Sequence, residues 1–148
     1  MGFLLEGRVV DHVRLFAWKA CKNAILTGEN FVHCGISHAL YCLVCGMDRE
    51  DVGHALFFYS LAKLIWAVSE LPWGVVKEWN SGCEDWMRGA HVRLELGQFA
   101  WFLIVCWILW NNRNQILMEG SMEDARNLLA NSKKYLAAYA YAITKPAI

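Results

Sequence analysis

The chain has 148 residues with a formal net charge of zero; 57% are hydrophobic, 19% are charged and only 2 are proline. That is enough sequence for one domain or for two small ones sharing a core. It is far too apolar for intrinsic disorder, which needs low hydropathy and high net charge. Zero net charge also excludes a strong overall field for nucleic acid, because that affinity rests largely on lysine and arginine neutralising phosphates. Eight tryptophans point to a large buried aromatic volume or to surfaces meant for a partner.

The first coherent stretch runs from Val9 to Ile25, with Val13, Phe16, Ala17, Ala20 and Ala24 on one helical face. Its basic residues Arg8, Arg14, Lys19 and Lys22 make the best local patch for a phosphate backbone, diluted by Glu6 and Asp11; a solvated helix face is the default reading. Thr27 to Asn30 read as a stop and a restart. Cys42 and Cys45 fall in a loop, with Gly46 allowing a tight turn. Asp51 is placed to cap a helix running through His54 toward Trp66, with Leu56, Phe57, Leu61, Leu64 and Ile65 as its apolar stripe.

Pro72 and Gly74 interrupt that pattern, and residues 77–89 are mixed, with Trp79 and Trp86 as anchors. A long helical pattern extends from about His91 to Glu119, closed by Gly120. A second runs from Met122 to Thr144, where Pro146 forbids simple continuation. Few segments alternate with period two. The expected fold is mainly α: a small helical domain with a short CxxC…H turn, packed with a long C-terminal helical pair. The divisions read as 9–70, a connector at 71–90, and a helical segment at 91–148, although a core shared across residues 71–74 suits the pattern equally.

The run from Phe99 to Trp110 is too short to cross a bilayer, which needs about 20 residues, so it reads as a buried helix, Cys106 serving as a small core hydrophobe. No secretory signal precedes the six cysteines, so an intracellular setting, nuclear or cytoplasmic, with reduced thiols is expected. Asp48, Glu50 and Asp51 read as solvated loop acids, and Asp124 as a first-turn residue of the last helix.

The sharpest chemical signal is Cys42-Leu-Val-Cys45, then His54, then a fourth position. Two cysteines two residues apart present both sulfurs to one ion from a turn, and a histidine opening the next helix supplies a third corner of a tetrahedron. A ligand one turn further along would close it, and that place holds Tyr59. A phenol keeps its proton to a pH of about 10, so it is a poor zinc ligand at neutrality. The alternatives are a substitute ligand from His33, Cys34 or His38, or no metal at all. Three ligands plus water is also how catalytic zinc is held, but no base stands visibly beside these residues in the sequence.

In order, these residues resemble the zinc-binding reverse-transcriptase domain of plant non-long-terminal-repeat retrotransposons. Val13-Arg14-Leu15-Phe16-Ala17-Trp18-Lys19-Ala20 is similar to that family's "KVRLFAWRA" helix, and Ala24-Ile25-Leu26-Thr27-Gly28-Glu29-Asn30-Phe31 to its "ALPTxxNL" turn. Cys42-Leu-Val-Cys45-Gly46, Glu50, His54-Ala55-Leu56-Phe57 and Trp66 resemble the pattern CxxCG…E…HALFxCxxAxxxW. Trp110-Asn111-Asn112-Arg113-Asn114 is similar to a downstream "WxxRN" signature, on the helical region that precedes ribonuclease H in such elements.

The resemblance implies zinc held by Cys42, Cys45, His54 and a fourth cysteine, which this chain replaces by Tyr59. The implied partners are the reverse transcriptase and ribonuclease H domains of one polyprotein, and RNA or DNA through Arg14, Lys19, Lys22 and Arg113; no membrane is implied. The opening Met1 to Arg8 is left outside the resemblance and reads as a new start ahead of a broken frame. The expected function is a non-catalytic zinc-binding-like module, a relic of such a polyprotein; the alternative is a stand-alone, weak RNA- or DNA-binding protein. No polymerase Tyr-x-Asp-Asp segment and no spaced nuclease carboxylates occur in the sequence.

Overall fold

The apolar run from Phe99 to Leu109 has no polar side on which to face water, so a helix built from it must be covered all round. The computed structural model, which describes residues 11–35, 46, 49–79, 82–120, 124, 126–131, 133–134 and 137, is organised in this way. Its elements are α1 (Asp11–Cys21), α2 (Gly28–His33), a π-helical turn (His54–Phe58), α3 (Ser60–Val68), α4 (Trp73–Val76), α5 (Cys83–Arg93) and α6 (Leu96–Glu119). Helix α6 is central: α1, the π-turn, α3 and α5 all pack on it. The fold is mainly α, and the described residues form no sheet. No helix among them is long and apolar enough to cross a membrane.

Helix α1 buries Val13, Phe16, Ala17 and Ala20, the face that the sequence predicts. It stops at Cys21, four residues before the expected Ile25, and Ala24 is exposed. The cause is local. Asn23 takes a left-handed conformation at φ 54°, its N–H donates to Ala20 O at 3.0 Å, and Ala24 N–H donates to Lys19 O at 2.8 Å. Those two bonds satisfy the terminal carbonyls and end the helix. Thr27 Oγ1 then accepts the Asn30 N–H at 3.2 Å and restarts the chain as α2.

The pattern read as one helix from His91 to Glu119 is two. Helix α5 begins at Cys83 and ends at Arg93, Leu94 turns into the core, and Glu95 opens α6 with a reciprocal cap to Gln98. Gly120, at φ 71°, closes α6 as expected. Residues 71–90, read as a connector, contribute α4 and most of α5, and bury Val76, Trp86 and Met87. Buried residues from Val13 to Leu129 thus join in one core. Asp124 Oδ1 accepts the Arg126 N–H at 2.8 Å and so caps the helical residues that follow; much of the helix expected over 122–144 lies outside the described residues.

Indole N–H groups carry the aromatic core. Trp66 donates to Leu56 O at 2.8 Å, Trp86 to Val76 O at 2.9 Å and Trp101 to Ser69 O at 2.9 Å. Each buried donor is therefore satisfied while its ring fills the interior. Trp86 sits at the centre, with ring centroids 4.7 Å from Phe102, 5.1 Å from Trp79 and 5.5 Å from Trp66. A Cβ on Gly53 would come within 2.9 Å of the Trp79 ring, so this glycine permits the close approach.

Two core thiols give the fold a pH dependence. Burial pushes the Cys106 thiol well above the ordinary range. Cys83 is raised by its hydrogen bond with Cys21 first and by burial second. With folded pKa values raised, their contribution is complete below the unfolded thiol pKa of about 8.5. It is lost as pH rises from there through the folded values, because the unfolded chain releases protons that the folded one retains. Denaturant midpoints are expected to fall above a pH of about 8.5, and Cys106→Ala is expected to flatten that fall. Equal slopes in the two proteins would contradict it.

Candidate metal centre

Asp51 Oδ1 accepts the His54 backbone N–H at 2.7 Å, the cap that the sequence predicts. The helix it opens does not run on unbroken to Trp66. The Tyr59 N–H donates to His54 O at 3.3 Å, an i→i+5 bond that makes one π-turn. Tyr59 is then extended at φ −74°, ψ 158°, and α3 begins at Ser60. The distinction matters for a metal site. In an α-helix, with 3.6 residues per turn, position i+5 swings well past position i, whereas a π-turn brings it back over.

His54 and Tyr59 are accordingly buried side by side, 5% and 2% exposed, with ring centroids 6.2 Å apart. The turn thus brings together positions 54 and 59, and a phenol is a poor zinc ligand beside a thiolate or imidazole. Gly46 takes a left-handed conformation at φ 70°. Cys42, Cys45 and His38 lie outside the described residues. His33 and Cys34 are exposed, and His33 Nε2 lies 3.6 Å from Glu29 Oε1. Among the described residues no group of three or more histidine, cysteine or acidic side chains is arranged to hold a metal.

Glu50, read from sequence as a solvated acid, is buried at 3% exposure. The reason is Arg113, itself 5% exposed, which reaches it from α6. Arg113 Nε donates to Glu50 Oε2 at 2.9 Å and its Nη2 to Oε1, a two-pronged ion pair. Glu50 Oε1 also accepts the Gly28 N–H of α2 at 2.7 Å, and Glu50 O accepts the Glu29 N–H at 3.0 Å. On the other side Arg113 lies over the Trp110 ring at 4.6 Å and donates to Asn114 Oδ1 at 2.7 Å. Sequence reasoning missed this pair. Its signal was present, since Glu50 and Arg113 are the charged members of two separate motifs.

The four residues grouped for nucleic acid differ in setting, although Lys19 and Arg113 line one crevice. Arg113 is enclosed by Glu50, Trp110 and Asn114. Arg14 is half-buried and paired with Asp11, while Lys19 and Lys22 are exposed. Arg14, Trp18 and Lys22 are four residues apart and so lie along one side of α1 and its end.

Breaking a buried ion pair by removing one charge leaves the other unpaired, at a cost of about 3–5 kcal/mol. Glu50→Gln is expected to lower stability to chemical denaturation by that order. Adding Arg113→Met should restore part of the loss, because the uncompensated charge goes. A loss of less than about 1 kcal/mol, the range of an exposed pair, would show that the two charges do not depend on each other.

Residues 3–66 match the family model described as zinc-binding in reverse transcriptase. No curated protein and no solved structure matches the chain. The match starts ahead of Val9, so most of the opening segment expected to stand outside the family lies within it. It ends at Trp66, the last residue of the CxxCG…HALF…W pattern. Over residues 3–66 the chain is similar to the zinc-binding domain family of reverse transcriptase.

Proposed function

We propose that the chain is a non-catalytic structural module derived from a retrotransposon reverse-transcriptase polyprotein of the plant non-long-terminal-repeat kind, with a zinc site that has degenerated at its fourth corner. The observation that carries this reading is the π-turn that lays Tyr59 against His54 inside the core. Together with Cys42 and Cys45, His54 would hold the ion at three corners. Zinc there would supply cross-linking of the turn to the helix and nothing more. The acids nearest His54 have structural partners: Asp51 caps the turn and Glu50 holds Arg113. That supports a scaffold rather than a hydrolytic centre. In an intact element the module would bridge polymerase and ribonuclease H.

Elemental analysis of the purified chain and of Tyr59→Cys tests the reading. The variant is expected to hold one zinc per chain and to unfold more cooperatively, because structural zinc contributes directly to folding. The parent chain is expected to hold substoichiometric zinc, lost to a mild chelator. Equal, tight occupancy in both would show that another residue already completes the site.

A second reading, a weak RNA- or DNA-binding protein, is favoured by one observation. The half-exposed Trp18 ring stands between Arg14 and Lys22 along α1, beside the exposed Lys19, a combination of stacking surface and cations suited to single strands. Three phosphate contacts would make the logarithm of single-stranded RNA affinity fall against log salt with a slope of about −2. Lys19→Ala with Lys22→Ala should reduce both affinity and slope. No binding at low salt would remove this reading.

A further inference from the structure

Away from the candidate zinc residues, the end of α1 meets the start of α5 through sulfur. Cys21 closes α1; Cys83 opens α5, and Met87 follows it one turn later on the same face. Cys21 Sγ lies 3.4 Å from Met87 Sδ, and Cys21 and Cys83 line one crevice. Cys21, Cys83 and Cys106 are all free thiols. We propose that Cys21, Cys83 and Met87 form a binding site for one soft monovalent cation, with Cu(I) as its type.

The donor set decides the ion. Two thiols and a thioether, with no imidazole or carboxylate among them, favour Cu(I) over hard cations. Zinc is disfavoured because its structural sites take four cysteine or histidine ligands. Access is present: Cys21 and Cys83 both line a crevice of about 580 Å³ whose walls also carry Asp51, Glu84 and Asp85. Those carboxylates favour the approach of a cation. On binding, one Cu(I) enters, the two thiols release two protons to solvent, and the thioether donates a lone pair without change, so the net charge of the site falls from zero to −1. Met87 packs fully buried in the core with its sulfur against that of Cys21, which holds the third donor in place before the ion arrives.

The test uses the full-length chain carrying Cys42→Ser and Cys45→Ser, so that the CxxC pair cannot contribute, reduced and handled without oxygen. Cu(I), supplied as its acetonitrile complex, is titrated in competition with a chromophoric Cu(I) chelator. One ion per chain is expected, with sulfur-only coordination by X-ray absorption and release of two protons. Cys21→Ser and Cys83→Ser should each weaken binding more than tenfold, Met87→Leu by about tenfold with packing volume conserved, and Cys106→Ser should leave it unchanged. Coordination by nitrogen or oxygen would overturn the proposal even if a variant fails to fold. So would a chain with intact helical circular dichroism that takes up no Cu(I), or full binding retained in Cys21→Ser.

Discussion

The carboxylate of Glu50 is the point at which three parts of the fold are tied together. It accepts from the first turn of α2 through Gly28 and from α6 through both prongs of Arg113, while its own carbonyl accepts from Glu29. A buried ion pair adds little net stability over well-packed apolar residues of the same size, yet losing one partner is costly. Its effect here is on register. Helix α6 is apolar around its middle and offers Phe99, Phe102, Leu103 and Leu109 to its neighbours, a surface on which helices can slide by a turn. Arg113 meets Glu50 in one register only, and that register sets where the loop before His54 sits against the central helix.

On the proposed reading, in which the metal site lacks a good fourth ligand, the arrangement explains how the chain is still built around the same turn. Zinc in such a site would fasten the cysteine loop to the π-turn. Glu50 lies four residues before His54 and already fastens that loop's end to α6, and the Asp51 cap fixes the turn itself. Tyr59 then acts as core, buried beside His54 and followed directly by α3. On that reading, a phenol in place of a thiolate turns a ligand position into a packing position, at the expense of the metal and not of the helices around it.

Much of this was legible in the residues. Helical periodicity found the buried face of α1, the apolar length of α6, the Asp51 cap and the glycine ending α6, because each depends on neighbours within a turn or two. Where the reading failed, the deciding contact was either a subtler local signal or a distant one. Asn23 in a left-handed conformation cut α1 short, and the cap formed by Glu95 and Gln98 split what the period alone merged. The π-turn at His54 is invisible to a 3.6-residue template. Glu50 looked solvated because its partner lies 63 positions away, and no pattern within a helix reports a pairing at that range. Of the candidate site, the nearness of positions 54 and 59 was legible in the spacing, but not the irregular turn that makes them meet.

If the Glu50–Arg113 pair joins the zinc-binding-type segment to the central helix, the two parts should open together. Native-state hydrogen exchange measures this directly, by comparing the opening free energies of amides in α1 and α3 with those in α6 around Leu109 to Arg113. One shared value, with both sets exposed in the same cooperative event, is the outcome that follows from a single core tied at Glu50. Protection that persists in α6 while residues 11–66 exchange at a distinctly lower free energy would mean that the two parts are independent, and the account would be wrong.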